Sequence, residues 1–392
     1  MFYHYENTYY ETHTRMVIGT NCIEQLPAEI RNYKGYKILV VSDPNVSKTE
    51  FYNNCLHYIE KGGFPYITWN EAEEEAPLRN VNTVRDMILK DGCDLMVAIG
   101  GGSVMDICKL AGILATNGGQ GQDWAGYEKY SVPPVTLFTI PTTAGTSAEV
   151  TNMAVIHDEE RNIKFSVGHC MLGAARVTFL DGNSIASCSR SLIACCGIDA
   201  LSHSFESYIA LKANPVTEAL SLSGVRLISR NLRAVYGNSD NCQAALDLMV
   251  GSSMGGLAFN NTGCGNMHCI GRHVGPQFHV NHGMSIALVM PSVAKFNFPA
   301  QMKKYRDIAE AMDLDVRGVS LADVGDVVVN GLKKLIHDVG ITLKMSELNP
   351  SRNDLEKIAQ DSYVQYQKFY YYRNPVKMTQ KDYMVILEDC CK

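Results

Sequence analysis

The sequence predicts an α/β domain with a parallel sheet, followed by an all-helical domain, and two observations support this fold class. Before residue 183, short apolar runs alternate with stretches of helical periodicity, as in parallel sheets that carry helices on both faces. After residue 183, apolar residues recur almost only at helical spacing. We therefore expect one domain over residues 1–183 and a second over residues 184–392.

Four apolar runs predict the buried strands of the first domain. They are rich in apolar and β-branched residues, and turn residues follow them, which is typical of strands inside a sheet. The runs are YKILVVSD (36–43), CDLMVAIGGGS (93–103), PVTLFTIPTT (134–143) and ARVTFLDG (175–182). In the second domain, segments such as RSLIACCGIDALSHSFESYIA and VTEALSLSGVRLISRNLRAVYG carry apolar residues at helical spacing and predict helices.

A glycine turn follows the second of these strands. Gly100, Gly101, Gly102 and Ser103 connect the strand to a helix that we expect to begin near Val104. Glycines let a ligand approach the backbone, and the N-terminus of a helix presents free N–H groups to a phosphate. The turn lacks the G-x-G-x-x-G pattern, so a purely structural turn is the alternative.

A second polar loop follows the third strand, at the edge where open α/β sheets bind ligands. Its hydroxyl groups belong to Thr142, Thr143, Thr146 and Ser147. Two such loops favour a nucleotide. Asp43, which ends the first strand, has the position of a carboxylate that accepts hydrogen bonds from ribose and repels a 2′-phosphate. The segment S-D-P-N is also a good turn, so the residues alone leave both roles open for Asp43.

Histidines are concentrated in the second domain. Four of the eleven lie within fifteen residues: His268, His273, His279 and His282. Upstream, Asp199 and His203 are four residues apart and therefore project from one face of a helix. Imidazole nitrogens with one carboxylate oxygen suit zinc, iron(II), nickel or cobalt. The pattern predicts a metal site, with ordinary core or surface histidines as the alternative.

Composition and charge exclude several classes of protein. The net charge of −6 and a pI near 6.0 argue against a nucleic-acid partner. No uninterrupted apolar run approaches the length of a membrane span, so we expect a protein without a membrane partner. The thirteen cysteines include no C-x-x-C motif. We expect them to be reduced in the cytoplasm and not to bind the metal.

Taken together, these motifs resemble the iron-dependent (group III) alcohol dehydrogenase family along nearly the whole chain. The matching segments, in order, include GGGSVMDICK, PTTAGTSAEVT, CCGIDALSHSFESYIA, GLAFNNTGCGNMHCIGR and FHVNHGMSIALVMP. The resemblance implies a Rossmann-like nucleotide domain, a helical metal-binding domain and an active site in the cleft between them. It also implies hydride transfer between NAD(H) and a short primary alcohol or its aldehyde.

The resemblance assigns roles to individual residues. The metal, Fe²⁺ with Zn²⁺ or Mn²⁺ as alternatives, would be held by Asp199, His203, His268 and His282. The cofactor would contact Asp43, Gly100, Gly101, Gly102, Ser103, Thr142, Thr143, Thr146 and Lys164. The resemblance favours NAD over NADP through Asp43. It also implies a homodimer or a larger homo-oligomer.

The chain departs from the family pattern at Arg272, where many members have a histidine that is assigned to proton relay. An arginine cannot act as a neutral base. The relay could instead use His273, His279, water or the cofactor ribose, and the candidate catalytic residues are Arg272, His273 and Lys164. The expected substrate pocket is formed by Met153, Phe259, Cys264, Arg272 and Tyr370.

Arg272 also bears on the choice of substrate. A guanidinium in a partly dehydrated cleft needs a partner. An aldehyde with an anionic tail would supply one, while a protein carboxylate or a diol substrate would explain the residue equally well.

Two other readings of the sequence are open. One is a polyol dehydrogenase-like or dehydroquinate synthase-like enzyme, which shares the architecture and usually contains zinc. The other is a non-catalytic nucleotide-binding scaffold, which the intact set of four predicted ligands disfavours.

Overall fold

The computed structural model describes residues 9–370 and 373–392 of the chain. The chain divides into two compact units. One comprises residues 11–188 together with 239–249, and the other comprises the described residues 9–10, 189–238 and 250–392. Residues 239–249 therefore belong to the unit that contains the sheet, which their helical periodicity does not reveal.

The first unit is built on a parallel sheet of six strands in the order β1-β9-β6-β4-β2-β3. These strands are β1 (Arg15–Ile18), β2 (Ile38–Ser42), β3 (Tyr66–Trp69), β4 (Leu95–Gly100), β6 (Thr136–Pro141) and β9 (Val177–Leu180). A smaller sheet contains β5 (Gly126–Tyr127), β7 (Met153–Asp158) and β8 (Ile163–Gly168). The main helices are α1 (Leu26–Asn32), α2 (Glu50–Lys61), α3 (Leu78–Asp91) and α4 (Gly102–Asn117).

The central strands are continuous apolar runs because helices cover both faces of the sheet. In β2, Leu39 and Val41 belong to one hydrophobic core, which also contains residues of α3 and α4. Ile38 and Val40 belong to the core on the other face, with residues of α1 and α2. Alternation along the strand thus places successive side chains in two separate cores.

The register of the sheet brings three loops to one edge. Ser42 pairs with Ile99, and Gly100 pairs with Pro141. The segments that leave β2, β4 and β6 therefore begin side by side at the carboxyl ends of parallel strands.

The second unit is helical. Its helices are α5 (Arg190–Ile209), α6 (Pro215–Gly237), most of α7 (Cys242–Thr262), α8 (Asn266–Phe278), α9 (His282–Asn297), α10 (Met302–Ala311), α11 (Val324–Asp338), α12 (Arg352–Gln365) and α13 (Gln380–Cys390). A π-helical turn, Tyr366–Tyr370, follows α12. Within the described ranges, no helix is both long and apolar enough to cross a bilayer. The predicted fold class, a parallel α/β half followed by a helical half, is confirmed.

Candidate active site

The glycine turn lies between β4 and α4, and the helix begins at Gly102, two residues earlier than the sequence suggested. Gly101 precedes the helix and offers no side-chain cap, so the first N–H groups of α4 are open to an anion. None of the three glycines has a positive φ. Glycine is needed at position 102 because a side chain would not fit there: a Cβ on Gly102 would lie 2.6 Å from Oγ1 of Thr146.

The residues predicted to surround the cofactor on this sheet edge do lie close together. The N–H of Thr142 donates to the carbonyl of Gly100 at 3.0 Å. A Cβ on Gly101 would lie 3.5 Å from Oγ1 of Thr143, and a Cβ on Gly100 would lie 3.4 Å from Oδ2 of Asp43. The first unit therefore carries a helix N-terminus, two threonine hydroxyls and a carboxylate around one glycine turn.

Asp43 has a structural role as well. Its Oδ1 accepts hydrogen bonds from the N–H groups of Asn45, at 2.8 Å, and Val46, at 3.0 Å. The turn that the sequence suggested is thus present, and Oδ2 is the oxygen that faces Gly100. The two roles are compatible because they use different oxygens.

Lys164 lies on β8, and half of its side chain is exposed. Its ammonium group donates to Oε1 of Glu75 at 2.8 Å. Met153, predicted for the substrate pocket, is the first residue of β7 and is 40% exposed. The cofactor and pocket roles of these two residues stay predictions.

The four predicted metal ligands come together in the second unit. Asp199 and His203 lie one turn apart on α5, His268 lies on α8, and His282 is the first residue of α9. From Oδ1 of Asp199, the Nε2 atoms of His203, His268 and His282 are 4.0, 3.4 and 3.6 Å away. Ligand bonds of about 2.0–2.2 Å around a tetrahedral ion would separate donors by roughly 3.3–3.6 Å.

The burial of these donors fits a bound cation. Oδ1 of Asp199 and Nε2 of His268 are buried and have no hydrogen-bond partner in the described part of the chain. Buried polar atoms without a partner are costly, and each one needs an explanation. A divalent ion shared by these atoms would satisfy both, and nitrogen donors with one carboxylate suit iron(II) or zinc.

Close packing of two helices brings His282 to the cluster. Gly283 follows it, and a Cβ there would lie only 2.3 Å from the carbonyl oxygen of Cys195 on α5. The side chain of Asn281 accepts a hydrogen bond from the N–H of Met284 at 2.9 Å and caps α9. The glycine and the cap together fix the first turn of α9 against α5.

Glu206 orients one of the ligands, and the sequence did not identify it as a site residue. It lies on α5, and its Oε2 is 2.7 Å from Nδ1 of His268. Its oxygens also accept the N–H groups of Gly265 at 2.9 Å and Met267 at 2.5 Å. A carboxylate that accepts the Nδ1 proton of a histidine leaves Nε2 as the donor to a metal. Its position seven residues after Asp199, on the same helical face, was the available indication.

Electrostatics favour the metal-binding forms of Asp199 and His282. Burial alone would raise the pKa of the Asp199 carboxyl, but His203, His268 and His282 hold it well below its usual range. Surrounding protein atoms desolvate the ring of His282 and lower its pKa, although half of the side chain is exposed. Asp199 opposes this shift, and the neighbouring His268 and His203 lower the pKa further. An ionised carboxylate and a neutral imidazole are the forms that bind metals. Burial would also lower the pKa of His268, but Cys264, Asp199 and Glu206 hold it well above its usual range.

Two predicted pocket residues contact the cluster. The ring of Phe259 stacks on His203 with centroids 4.2 Å apart, and His203 stacks on His268 at 4.4 Å. Cys264 precedes α8 and lies beside His203 and His268. Burial raises the pKa of its thiol, but the two histidines outweigh burial and bring the pKa to about 6.

Arg272 lies one helical turn after His268, and its positive charge contributes to the lowered pKa of His282. The residue is exposed, and its side chain forms no hydrogen bond or ion pair with the residues that the structure describes. It is therefore an exposed, unneutralised charge near the cluster. The expected pairing of its guanidinium with a substrate anion stays a prediction.

The relay roles of His273 and His279 stay predictions. His273 is partly buried, and burial lowers its pKa. Asp361 on α12 opposes this shift, whereas Arg272 lowers the pKa further. No cluster carboxylate is among the groups that shift its pKa. His279 is exposed at the end of α8. The side chain of Tyr370 lies outside the described part of the chain, so its pocket role stays a prediction.

Comparison with known proteins assigns the chain to a family. Residues 13–181 match the family model of iron-containing alcohol dehydrogenases, and residues 193–391 match the C-terminal model of the Fe-containing alcohol dehydrogenase family. The 1,3-propanediol dehydrogenase of Klebsiella pneumoniae is 31% identical over 87% of this chain and 89% of its own length. The sulfoacetaldehyde reductase of Bilophila wadsworthia is 29% identical over 89% and 91%.

Comparison with solved structures supports the same family assignment. A crystal structure of 1,3-propanediol oxidoreductase superposes with a TM-score of 0.93 and 29% identity, covering 98% of this chain and all of that one. The chain therefore belongs to the iron-containing alcohol dehydrogenases, which confirms the predicted class, an NAD(H)-linked, metal-dependent oxidoreductase of alcohols and aldehydes.

Proposed function

We propose that the chain interconverts short primary alcohols and their aldehydes with one divalent ion held by Asp199, His203, His268 and His282. The observation that carries this proposal is the gathering of three imidazoles around one buried, unpartnered oxygen of Asp199. When bound, such an ion polarises the substrate oxygen while hydride passes to or from nicotinamide.

The chain itself supplies binding and orientation. Glu206 holds the ring of His268 so that its Nε2 faces Asp199. The N-terminus of α4 offers N–H groups for the pyrophosphate of the cofactor, and Asp43 offers a carboxylate for its ribose.

The test uses one ligand and one matched histidine. His268→Ala should bind no equivalent of Fe²⁺ and should not oxidise NADH with a short aldehyde. His337→Ala, which changes an exposed histidine in the last turn of α11, should retain both properties. A full equivalent of metal and normal turnover in His268→Ala would refute the assignment. A screen of polyols on the same proteins separates the polyol dehydrogenase-like alternative.

We propose further that Arg272 favours aldehydes with an anionic tail. Its charge lies near the metal cluster and is neutralised by no described carboxylate. Relatives named for a neutral diol and for a sulfonated aldehyde both exist, so the charge of the substrate must be tested directly. An exposed guanidinium is screened by salt, so we expect about a tenfold preference, the lower end of a charge-assisted contact.

The comparison is kcat/KM for sulfoacetaldehyde and for 3-hydroxypropanal, in the wild type and in Arg272→Met, at low and high salt. The anionic substrate alone should lose activity in Arg272→Met, and salt should weaken its advantage in the wild type. Equal losses for both substrates would assign Arg272 to structure or proton transfer.

We also propose a cytoplasmic protein that forms a homodimer or a larger homo-oligomer. None of the thirteen cysteines, all of which are described, forms a disulfide, which suits a reducing compartment. Light scattering of the purified chain tests the oligomeric state.

A further inference from the structure

A cysteine lies within reach of the metal cluster. The sulfur of Cys264 and one ring nitrogen each of His203 and His268 all lie within 4.8 Å of one another. Asp199, His268 and His282 form a second set with the same property. The two sets share His268, so a thiol borders the same small volume as the four predicted ligands.

The atoms around this volume indicate a ligand independently of the cysteine. Nε2 of His268 is buried and has no hydrogen-bond partner in the described ranges, and its side chain is only 5% exposed. A buried nitrogen of this kind is normally satisfied, so its lack of a partner points to a cation beside Cys264.

Cys170 also belongs to a group of potential metal donors, but that group has no buried ring nitrogen without a hydrogen-bond partner among the described residues. Its sulfur lies close to Glu128 and His169 in the first unit. There, however, Nδ1 of His169 already accepts the N–H of Met171 at 3.1 Å, and Glu128 is exposed. The nitrogen is in use, and we assign no metal to that group.

We propose that Cys264 is a further ligand of the divalent ion and contributes its sulfur beside His203 and His268. This inference rests on the metal site proposed above. Coordination releases the thiol proton to solvent, as metal binding to cysteine generally does. A thiolate is a soft donor that suits Zn²⁺ and Co²⁺ better than Mn²⁺, which prefers oxygen. Cys264 therefore biases this chain toward the softer ions, and the expectation that no cysteine binds the metal is revised.

The test is a titration of the metal-free, full-length protein with Co²⁺. The wild type should show visible d–d absorption and a sulfur-to-cobalt charge-transfer band in the near ultraviolet, both complete at one ion per chain. Cys264→Ala should keep the visible bands and lose the charge-transfer band. The control is Cys269→Ser, because the Cys269 thiol donates to the carbonyl of Ser362 at 3.2 Å and belongs to neither donor set. It should keep both absorptions.

A second measurement compares ions. In Cys264→Ala, the affinity for Zn²⁺ should fall by at least about tenfold, because loss of a residue that only orients a metal ligand already costs about 10–100-fold in affinity. The affinity for Mn²⁺ should change less. In case Cys264→Ala does not fold, alkylation of the wild type supplies the answer. Iodoacetamide should label Cys264 in the metal-free protein, and one equivalent of Co²⁺ should protect it.

The outcomes separate this inference from the metal site itself. Visible bands without a charge-transfer band in the wild type, or a charge-transfer band that persists in Cys264→Ala, overturn the role of Cys264 and leave the four-ligand site standing. A wild-type protein that binds no Co²⁺ overturns both proposals.

Discussion

Glu206 offers the sharpest test of how the protein positions a metal ligand. The carboxylate accepts three hydrogen bonds, from Nδ1 of His268 and from the N–H groups of Gly265 and Met267. Its side chain is only 2% exposed, so water does not readily replace it. In Glu206→Gln, the amide oxygen can still accept from His268 and Gly265, which share Oε2. The amide nitrogen then faces the N–H of Met267, which is left without an acceptor.

The size of the effect follows from these contacts. One buried donor without an acceptor costs about 1–3 kcal/mol of folding stability. The bond to His268 also loses its charge assistance, which accounts for roughly half of its strength. Groups that support metal-binding histidines are worth about 10–100-fold in metal affinity. We therefore expect Glu206→Gln to weaken Co²⁺ binding by about tenfold, or 1.4 kcal/mol, and Glu206→Ala to weaken it by up to about a hundredfold.

The assay is competition of metal-free protein with a chelator for Co²⁺, followed by visible absorption, together with thermal unfolding. Glu29→Gln is the matched control, because Glu29 is also buried but bonds Arg15 in the first unit. It should lose stability without losing metal affinity. Wild-type Co²⁺ affinity in Glu206→Gln, whatever its melting temperature, would refute the reasoning.

Three further substitutions test the packing and the cofactor site. Gly283→Ala places a Cβ against the backbone of Cys195, so α9 must shift. In the same chelator assay, Co²⁺ affinity should fall by about tenfold, the loss expected for a group that supports a metal ligand. Unchanged affinity would contradict the close packing. Gly102→Ala crowds the side chain of Thr146, so the Kd for NADH from fluorescence titration should rise while metal content stays constant. Asp43→Gly should raise kcat/KM for NADPH relative to NADH, because a carboxylate repels a 2′-phosphate; a wild type that prefers NADPH would exclude this role.

The interior strands were predictable because burial on both faces makes their sequences continuously apolar. All residues of β2, β4 and β9 are buried, and these are runs that the sequence shows plainly. The edge strands β1 and β3 are only partly buried, so their composition carries little pattern. The smaller sheet depends on pairing between segments that are far apart along the chain, and local periodicity does not show it.

In the candidate site, too, local relations were predictable from the sequence, whereas contacts between distant segments were not. Spacing of four residues identified Asp199 and His203 because the relation is local to one helix. The same rule does not select His273, which is five residues after His268 and whose pKa responds to Asp361 rather than to a carboxylate of the cluster. The partners of Glu206 lie about sixty residues downstream, and the exposure of Arg272 depends on the packed chain. Neither could be read from spacing alone.

The uneven burial of the four ligands has a kinetic consequence. Side-chain exposures are 5%, 6% and 5% for Asp199, His203 and His268, but 49% for His282. An ion would therefore enter and leave on the side of His282, and its residence time would depend on how often the first turn of α9 opens. Asn281 caps that turn, which makes a surface amide a determinant of exchange. Weakening this cap should accelerate release to a chelator more than it lowers equilibrium affinity, and hydrogen exchange at residues 282–285 would report the opening.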